Sequence, residues 1–410
     1  MVAIPGTAFG GATDPSMIPI TEGFRLIPSI TVGERYDSNV FFTPAIPGLD
    51  REDFVTTTIP QLRGVYAGSL VTVNARARAV GEYYAKNSGL SYVGTNVGAG
   101  LDFGKLASRW REGASLTVFD DYSYTPQPPA FMTGDLSGEG GNPFVRGFQA
   151  ARVNTQLNNL TVTMSVPISQ TVNLTGLYMN GFIKYGSSEG QQVAGLADTN
   201  YQTYSAGLSM RMSLQDTVRL RFISSEYSSD AFSITTYGGT AGWSRSFTRN
   251  ITLNFDAGAK VLEGDLIGVS LASTVAPVGN LSLQWLDNET SMLLAYNLDI
   301  MPSVQVGARP LLNDLVTFTV TQQTTIPDLL VVASANYGHS SPYGSKPAST
   351  AVTDATFTTW GGVAGLTYRL TPKTFLGVTF SYANYDGEIG TTGYQFVREV
   401  VQMSLTHAFY

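Results

Sequence analysis

Apolar and polar residues alternate one for one along most of this chain. From Ile251 the odd positions read Ile, Leu, Phe, Ala, Ala, Val, and the even positions read Thr, Asn, Asp, Gly, Lys. A period of two is that of a β-strand with one apolar and one polar face. The same rhythm returns over 160–166, 172–178, 204–212, 218–222, 292–300, 316–320 and 376–382. Turn-forming residues divide the chain into eighteen expected strands. These lie near 24–37, 53–66, 69–84, 90–103, 112–125, 152–166, 170–185, 200–213 and 216–229. The rest lie near 232–246, 250–263, 275–286, 289–301, 312–325, 328–338, 356–370, 373–386 and 394–410.

The connections fall into two classes. Short ones stand at 67–68, 167–169, 215–216, 287–288, 326–327 and 371–372. Long ones, rich in Gly, Pro, Ser and Asn, stand at 38–52, 126–151, 186–199, 264–274, 302–311 and 339–355. Short turns alternating with longer loops, and an even strand number, are what an outer-membrane barrel requires. Segment 104–111 is long for a turn, and 228–231 is short for a loop. A soluble sandwich would also alternate, but its dry core could not bury these polar stripes.

Aromatic placement favours the membrane. Phe103, Trp110, Trp243, Trp285, Tyr368 and Phe375 fall at the turn ends of expected strands. Tyr36, Tyr83, Tyr92, Tyr122, Tyr185, Tyr227, Tyr337, Trp360, Tyr382 and Tyr385 fall at the loop ends. Amphipathic rings at both strand ends match the two interfaces of a bilayer. The expected fold is therefore all-β: a transmembrane antiparallel barrel of about eighteen strands over 24–410, preceded by a periplasmic segment over 1–23.

Composition agrees and narrows the function. Charged residues are 13% of the chain, about half the usual ~25% of soluble proteins. Mean hydropathy is only +0.03, and the longest apolar run, 329–335, falls far short of the ~20 residues of a spanning helix. There is no Cys, so no disulfide and no thiolate metal site. A net charge of −7 speaks against a nucleic-acid binder. Met1-Val-Ala-Ile-Pro carries no signal-peptide pattern, so the chain is expected to begin at a mature end with its export leader removed.

Candidate chemistry lies on the expected inner face. Arg63, Arg211, Arg219, Arg221, Arg245 and Arg369 fall near the periplasmic mouth. Arg76 and Arg78 share one face of a strand, roughly 7 Å apart. A basic ring there would lower the barrier to anions. The competing reading is that Glu82, Asp102, Asp256 and Asp299 pair with basic groups and brace the wall. An enzyme is disfavoured, since general-base chemistry would fall to His339 or His407, with no nucleophile–acid constellation around either. No catalytic residue, cofactor or metal ligand is therefore expected. The long loop around 126–149 could constrict the lumen or face outward.

The C-terminal run places Val401, Met403, Leu405 and Phe409 on one face, with His407 toward lipid and Tyr410 last. It resembles the terminal strand of outer-membrane barrels. The segment 28–41, with Asp53 and Ile59-Pro60-Gln61-Leu62, resembles the start of the β-barrel porin family linked to bacterial exopolysaccharide export. That resemblance implies an outer-membrane conduit for an extracellular polysaccharide. Its partners would be membrane lipid, the polymer and periplasmic export machinery. It also places Asp37, Asn39 and Asp53 around the first outer loop. A general diffusion porin for small solutes and a structural or adhesive surface barrel are the alternatives.

Overall fold

The computed structural model describes residues 18–21, 23–126, 153–186, 196–303, 307–345 and 352–409. A short β1 (Ile18–Thr21) precedes the wall. The first wall strands are β2 (Phe24–Asp37), β3 (Asp53–Ala67), β4 (Thr72–Tyr84), β5 (Tyr92–Asp102), β6 (Ser115–Thr125) and β7 (Thr155–Pro167). Next come β8 (Val172–Tyr185), β9 (Thr199–Arg211), β10 (Asp216–Ser228), β11 (Phe232–Ser246), β12 (Ile251–Leu266) and β13 (Val269–Leu286). The last are β14 (Thr290–Met301), β15 (Leu311–Gln323), β16 (Leu329–Pro342), β17 (Ala355–Thr371), β18 (Thr374–Ile389) and β19 (Thr392–Ala408). Each wall strand pairs antiparallel with its sequence neighbours, and β19 returns to β2 from Val400↔Asp37 to Ala408↔Ser29. The result is a closed barrel of eighteen described strands. β1 takes the edge of β2 at Phe24–Leu26, below the point where β19 ends.

The period-two pattern sets which side of each strand faces where. Val32, Leu62, Val97, Leu208, Leu220, Phe222, Leu281, Phe318, Phe380, Met403 and Leu405 are all well exposed and share the outer face. Their alternates on the same strands include Arg35, Asp53, Asn96, Thr203, Asn254, Ser282 and Arg398, which are buried on the inner side. Tyr178 and Tyr204 (5.2 Å between centroids), Trp360 and Tyr382 (5.0 Å), and Tyr36 and Phe54 (5.4 Å) form an outer girdle at the loop end. Tyr66, Trp243, Trp285, Tyr368 and Phe409 form its counterpart at the turn end. A 14-residue strand such as β2, tilted about 40°, rises about 35 Å, enough to carry both girdles and a ~25 Å apolar band.

The tight turns share a local device. Ser169, Ser213, Thr248, Thr324 and Thr371 each accept an N–H from the backbone two residues on, with Oγ distances of 3.1–3.3 Å. A hydroxyl that satisfies turn amides helps to stop a strand, and Pro167, Pro327 and Pro372 stand in or beside three of these turns. The long segment 104–111 is a helix, α1 (Gly104–Trp110), whose first N–H is taken by Asp102 Oδ1 at 2.7 Å.

Two expectations need correction, and two more fall largely outside the described residues. The stretch 264–274 is not a loop: β12 and β13 run through it and reverse at Ile267-Gly268, whose φ values of 50° and 69° make a two-residue hairpin turn. Tyr92, Tyr185, Tyr227, Tyr385 and Phe375 face inward, because their positions alternate with outward residues on the same strands. They belong to no membrane girdle. The long segment 126–149 lies outside the described residues from 127 onward, as do residues 1–17 of the N-terminal segment 1–23.

The inner face of the loop end is apolar and packed. Ile183, Tyr201, Tyr227, Ile234, Leu262 and Val278 form one cluster with Val352. Leu311, Phe357, Tyr385 and Phe396 form a second with Phe42, Ala308 and Ala355. Val40 joins Val55 and Tyr84 in a third. Val40, Phe42, Ala308 and Val352 come from loops, so these loops fold into the barrel and pack on its inner wall.

The lumen as candidate functional site

The inner wall sorts its charges by height. Toward the turn end, β3 and β4 carry Arg63 opposite Arg76, with Arg78 one step further on the same face. Arg76 pairs with Asp121 at 2.8 Å and lies 5.9 Å from the centre of the Phe119 ring. Gly98 makes room for that arrangement: a Cβ there would stand 2.6 Å from Asp121 Oδ2 and 3.2 Å from Arg76 Nε. Asn96 steadies the acid from the other side, donating to Asp121 Oδ1 at 2.9 Å. On β9 and β10, Arg211, Arg219 and Arg221 share the inner face. Arg219 pairs with Asp256 at 3.1 Å, and Arg211 donates to the carbonyl of Gln170 at 3.0 Å. The Arg221 Nε is buried without a hydrogen-bond partner among the described residues. Arg369 stands at the mouth itself, paired with Asp328 of the preceding turn.

Arg245 does not belong with them. It is the cross-strand neighbour of Asp216 on the outer face, 3.6 Å from its carboxylate, and Trp243 Nε1 donates to the same acid at 3.1 Å. The arginine and tryptophan therefore anchor the outer rim. Position 245 shares the parity of the outward Trp243, a signal that the sequence already held.

Toward the loop end the charges are buried and mutually satisfied. Arg398 grips Asp37 through Nε (3.0 Å to Oδ1) and NH2 (2.5 Å to Oδ2), while Arg35 makes a double contact with Glu82 at 2.8 and 2.9 Å. Tyr84 donates to Glu82 at 2.8 Å, and the Arg398 guanidinium lies 4.4 Å from the centre of the Phe42 ring. Further round, Lys260 meets Asp299 at 2.7 Å. Sequence reading overlooked Arg35 and Arg398, although both sit at inner parity. Asp37, Asn39 and Asp53 serve structure here. Asn39 holds the carbonyls of Thr43 and Val397, and Asp53 accepts the amides of Lys86 and Asn87. On the exposed rim Lys86 bridges Asp50 (3.1 Å) and Glu52 (2.9 Å). That contact holds the Glu52 carboxyl below its ordinary range and the Lys86 ammonium above its own.

Neither histidine is set up for chemistry. His339 lies on the outer face with Nδ1 2.9 Å from Thr358 Oγ1, while Asp314, its cross-strand neighbour, is engaged by Tyr296 at 2.5 Å. His407 also faces outward, edge-on to Phe409. Among the described residues no group of three or more His, Asp or Glu side chains could hold a metal ion.

A closed eighteen-stranded wall with an apolar belt outside and a charged, hydrogen-bonding lining inside is an outer-membrane β-barrel. No family model and no curated protein matches the chain. Several solved barrels align over nearly its whole length. OpdK of Pseudomonas aeruginosa, solved with vanillate, is 12% identical at a TM-score of 0.48, covering 94% of this chain and 99% of that one. OccK2 (OpdF) of the same organism is 11% identical at 0.47, covering 93% and 98%. OccAB3 of Acinetobacter baumannii is 12% identical at 0.46, covering 94% and 99%. Likeness at that level does not say what this chain carries. The expected link to exopolysaccharide export, with its polymer and export partners, gains no support from any of these comparisons.

Proposed function

We propose that the protein is an outer-membrane diffusion channel for small solutes that favours anions. The observation that carries this reading is the basic excess on the turn-end inner wall. Asp121 and Asp256 answer Arg76 and Arg219, whereas Arg63, Arg78, Arg211 and Arg221 carry no ion pair among the described residues. Unanswered cations on a wet wall lower the barrier to an anion and raise it for a cation. Arg369 at the mouth is answered by Asp328, and Arg245 lies on the outer face, so neither adds to this field.

A matched pair of solutes tests the reading: glucose and glucuronate share size and shape and differ in charge. Liposomes containing the protein should take up glucuronate faster than glucose, and a KCl gradient should give a reversal potential on the anion side. Replacing Arg219 and Arg221 by Glu should move that potential toward cations. A potential that does not move would overturn the role given to the arginines.

A further inference from the structure

The one α-helix among the described residues stands at the turn end, and it is basic in a chain whose net charge is −7. α1 joins β5 to β6 and is tied to the turns on either side. Lys105 Nζ donates to the Gly68 carbonyl of the β3–β4 turn at 2.8 Å. Arg111 donates to the carbonyls of Pro167 (2.8 Å) and Ile168 (2.7 Å), where β7 turns into β8. Ser108 Oγ donates to the carbonyl of buried Ala114, so that side of the helix faces the protein.

The other side is divided lengthwise. Lys105 and Arg109 stand one turn apart in one stripe, and Leu106 and Trp110 one turn apart in the next. Leu106 is 46% exposed and Trp110 79%. Leu70 and Ile168, in the two turns that α1 grips, are exposed as well and extend the apolar side. Arg109 has no ion pair or hydrogen bond among the described residues. Asp102 is engaged by the Gly104 N–H, and Glu112 is outnumbered by Lys105, Arg109 and Arg111.

An apolar stripe beside a basic one is the arrangement of a helix that lies in the headgroup layer of a membrane. Its rings enter the acyl boundary while its cationic ends stay with the phosphates. The edge of the bilayer is at hand, marked by the turn-end girdle. Tyr66 of that girdle belongs to the strand leading into the turn that Lys105 holds. The partner that complements both stripes at once is therefore a lipid with a negatively charged headgroup.

We propose that α1 is a binding element for anionic phospholipid in the leaflet at the turn end. Leu106 and Trp110 enter the leaflet, and Arg109 with Lys105 meets the phosphodiester. The inference is independent of what the lumen carries.

Trp110 is its own probe. With Trp243→Phe, Trp285→Phe and Trp360→Phe, it is the last of the four tryptophans in the chain. The protein is refolded into phosphatidylcholine vesicles holding a minor share of phosphatidylglycerol. Bromine quenchers are carried on the chains of that share, or on an equal share of the phosphatidylcholine. Brominated phosphatidylglycerol should quench Trp110 about twofold or more beyond brominated phosphatidylcholine. Lys105→Gln with Arg109→Gln should remove the difference, and added salt should shrink it. If the triple variant does not give the heat-modifiable folded form, Trp110→Phe alone serves instead. The preferential quenching of the otherwise unchanged protein should then disappear with that ring. Quenching by aqueous acrylamide but by neither brominated lipid would overturn the proposal and leave the face to a soluble protein. Equal quenching by the two lipids would overturn headgroup recognition. A preference that survives the loss of Lys105 and Arg109 would overturn the role given to them.

Discussion

Replacing Asp37 by Asn removes one charge and almost no volume from a deeply buried ionic cluster. Asp37 is 1% exposed and Arg398 is 6% exposed, so water cannot take over the lost partner. Two charge-assisted contacts, at 3.0 and 2.5 Å, weaken together, and the 3.8 Å approach of Arg35 loses its acid as well. Arg35 keeps both bonds to Glu82, so the stranded charge is that of Arg398. Its stacking on Phe42 is present before and after and cancels in the difference. Removing one partner of such a pair costs about 3–5 kcal/mol. Urea unfolding in phospholipid vesicles, followed through Trp fluorescence, should show a loss of that size. Replacing both Asp37 and Arg398 by Leu should recover most of it, since the pair itself contributes less than its half-removal costs. A loss under about 1 kcal/mol for Asp37→Asn, the range of an exposed pair, would refute the argument that this group is dry.

Other expectations follow from the same wall. Arg245→Ala should leave ion selectivity unchanged while Arg219→Ala shifts it, as reversal potentials would show, because only the second side chain faces the lumen. Gly258→Ala should block assembly of the folded barrel, seen as loss of the heat-modifiable form on a gel, because a Cβ there would fall on the Gly239 carbonyl of the paired strand. Ile267→Asn at the β12–β13 turn should stabilise by about 0.5–1 kcal/mol in the unfolding assay, since Asn tolerates a φ of 50° far better than a β-branched residue does.

Much of the wall is legible because a strand writes its two faces into alternate residues. Strand number, most boundaries and the lipid-facing set of Val401, Met403, Leu405 and Phe409 all follow from that rhythm. Parity also holds answers that residue type obscures: Arg245 goes with Trp243, and Tyr227 with Arg219 and Arg221. The hairpin at 264–274 is hidden by Gly264, Asp265 and Gly268, which read as a loop although the ladder runs through the first two. The inward loops leave no comparable trace. Val40, Phe42, Ala308 and Val352 are single apolar residues in irregular segments, and nothing periodic marks them as buried. Arg309 pairs with Asp354 from 45 positions away, so only the folded chain brings them together.

The joint between β19 and β2 has a consequence for how the molecule is made. Arg398 and Asp37 are separated by 361 positions, so the partner that covers one edge of β2 emerges long after β2 itself. Until then that edge, with its row of open N–H and C=O groups, is a template for any passing strand. Contacts that distant also close late and slowly. A chain of this design therefore depends on being shielded while it waits, and a variant truncated before β19 would be expected to aggregate rather than form a smaller ring.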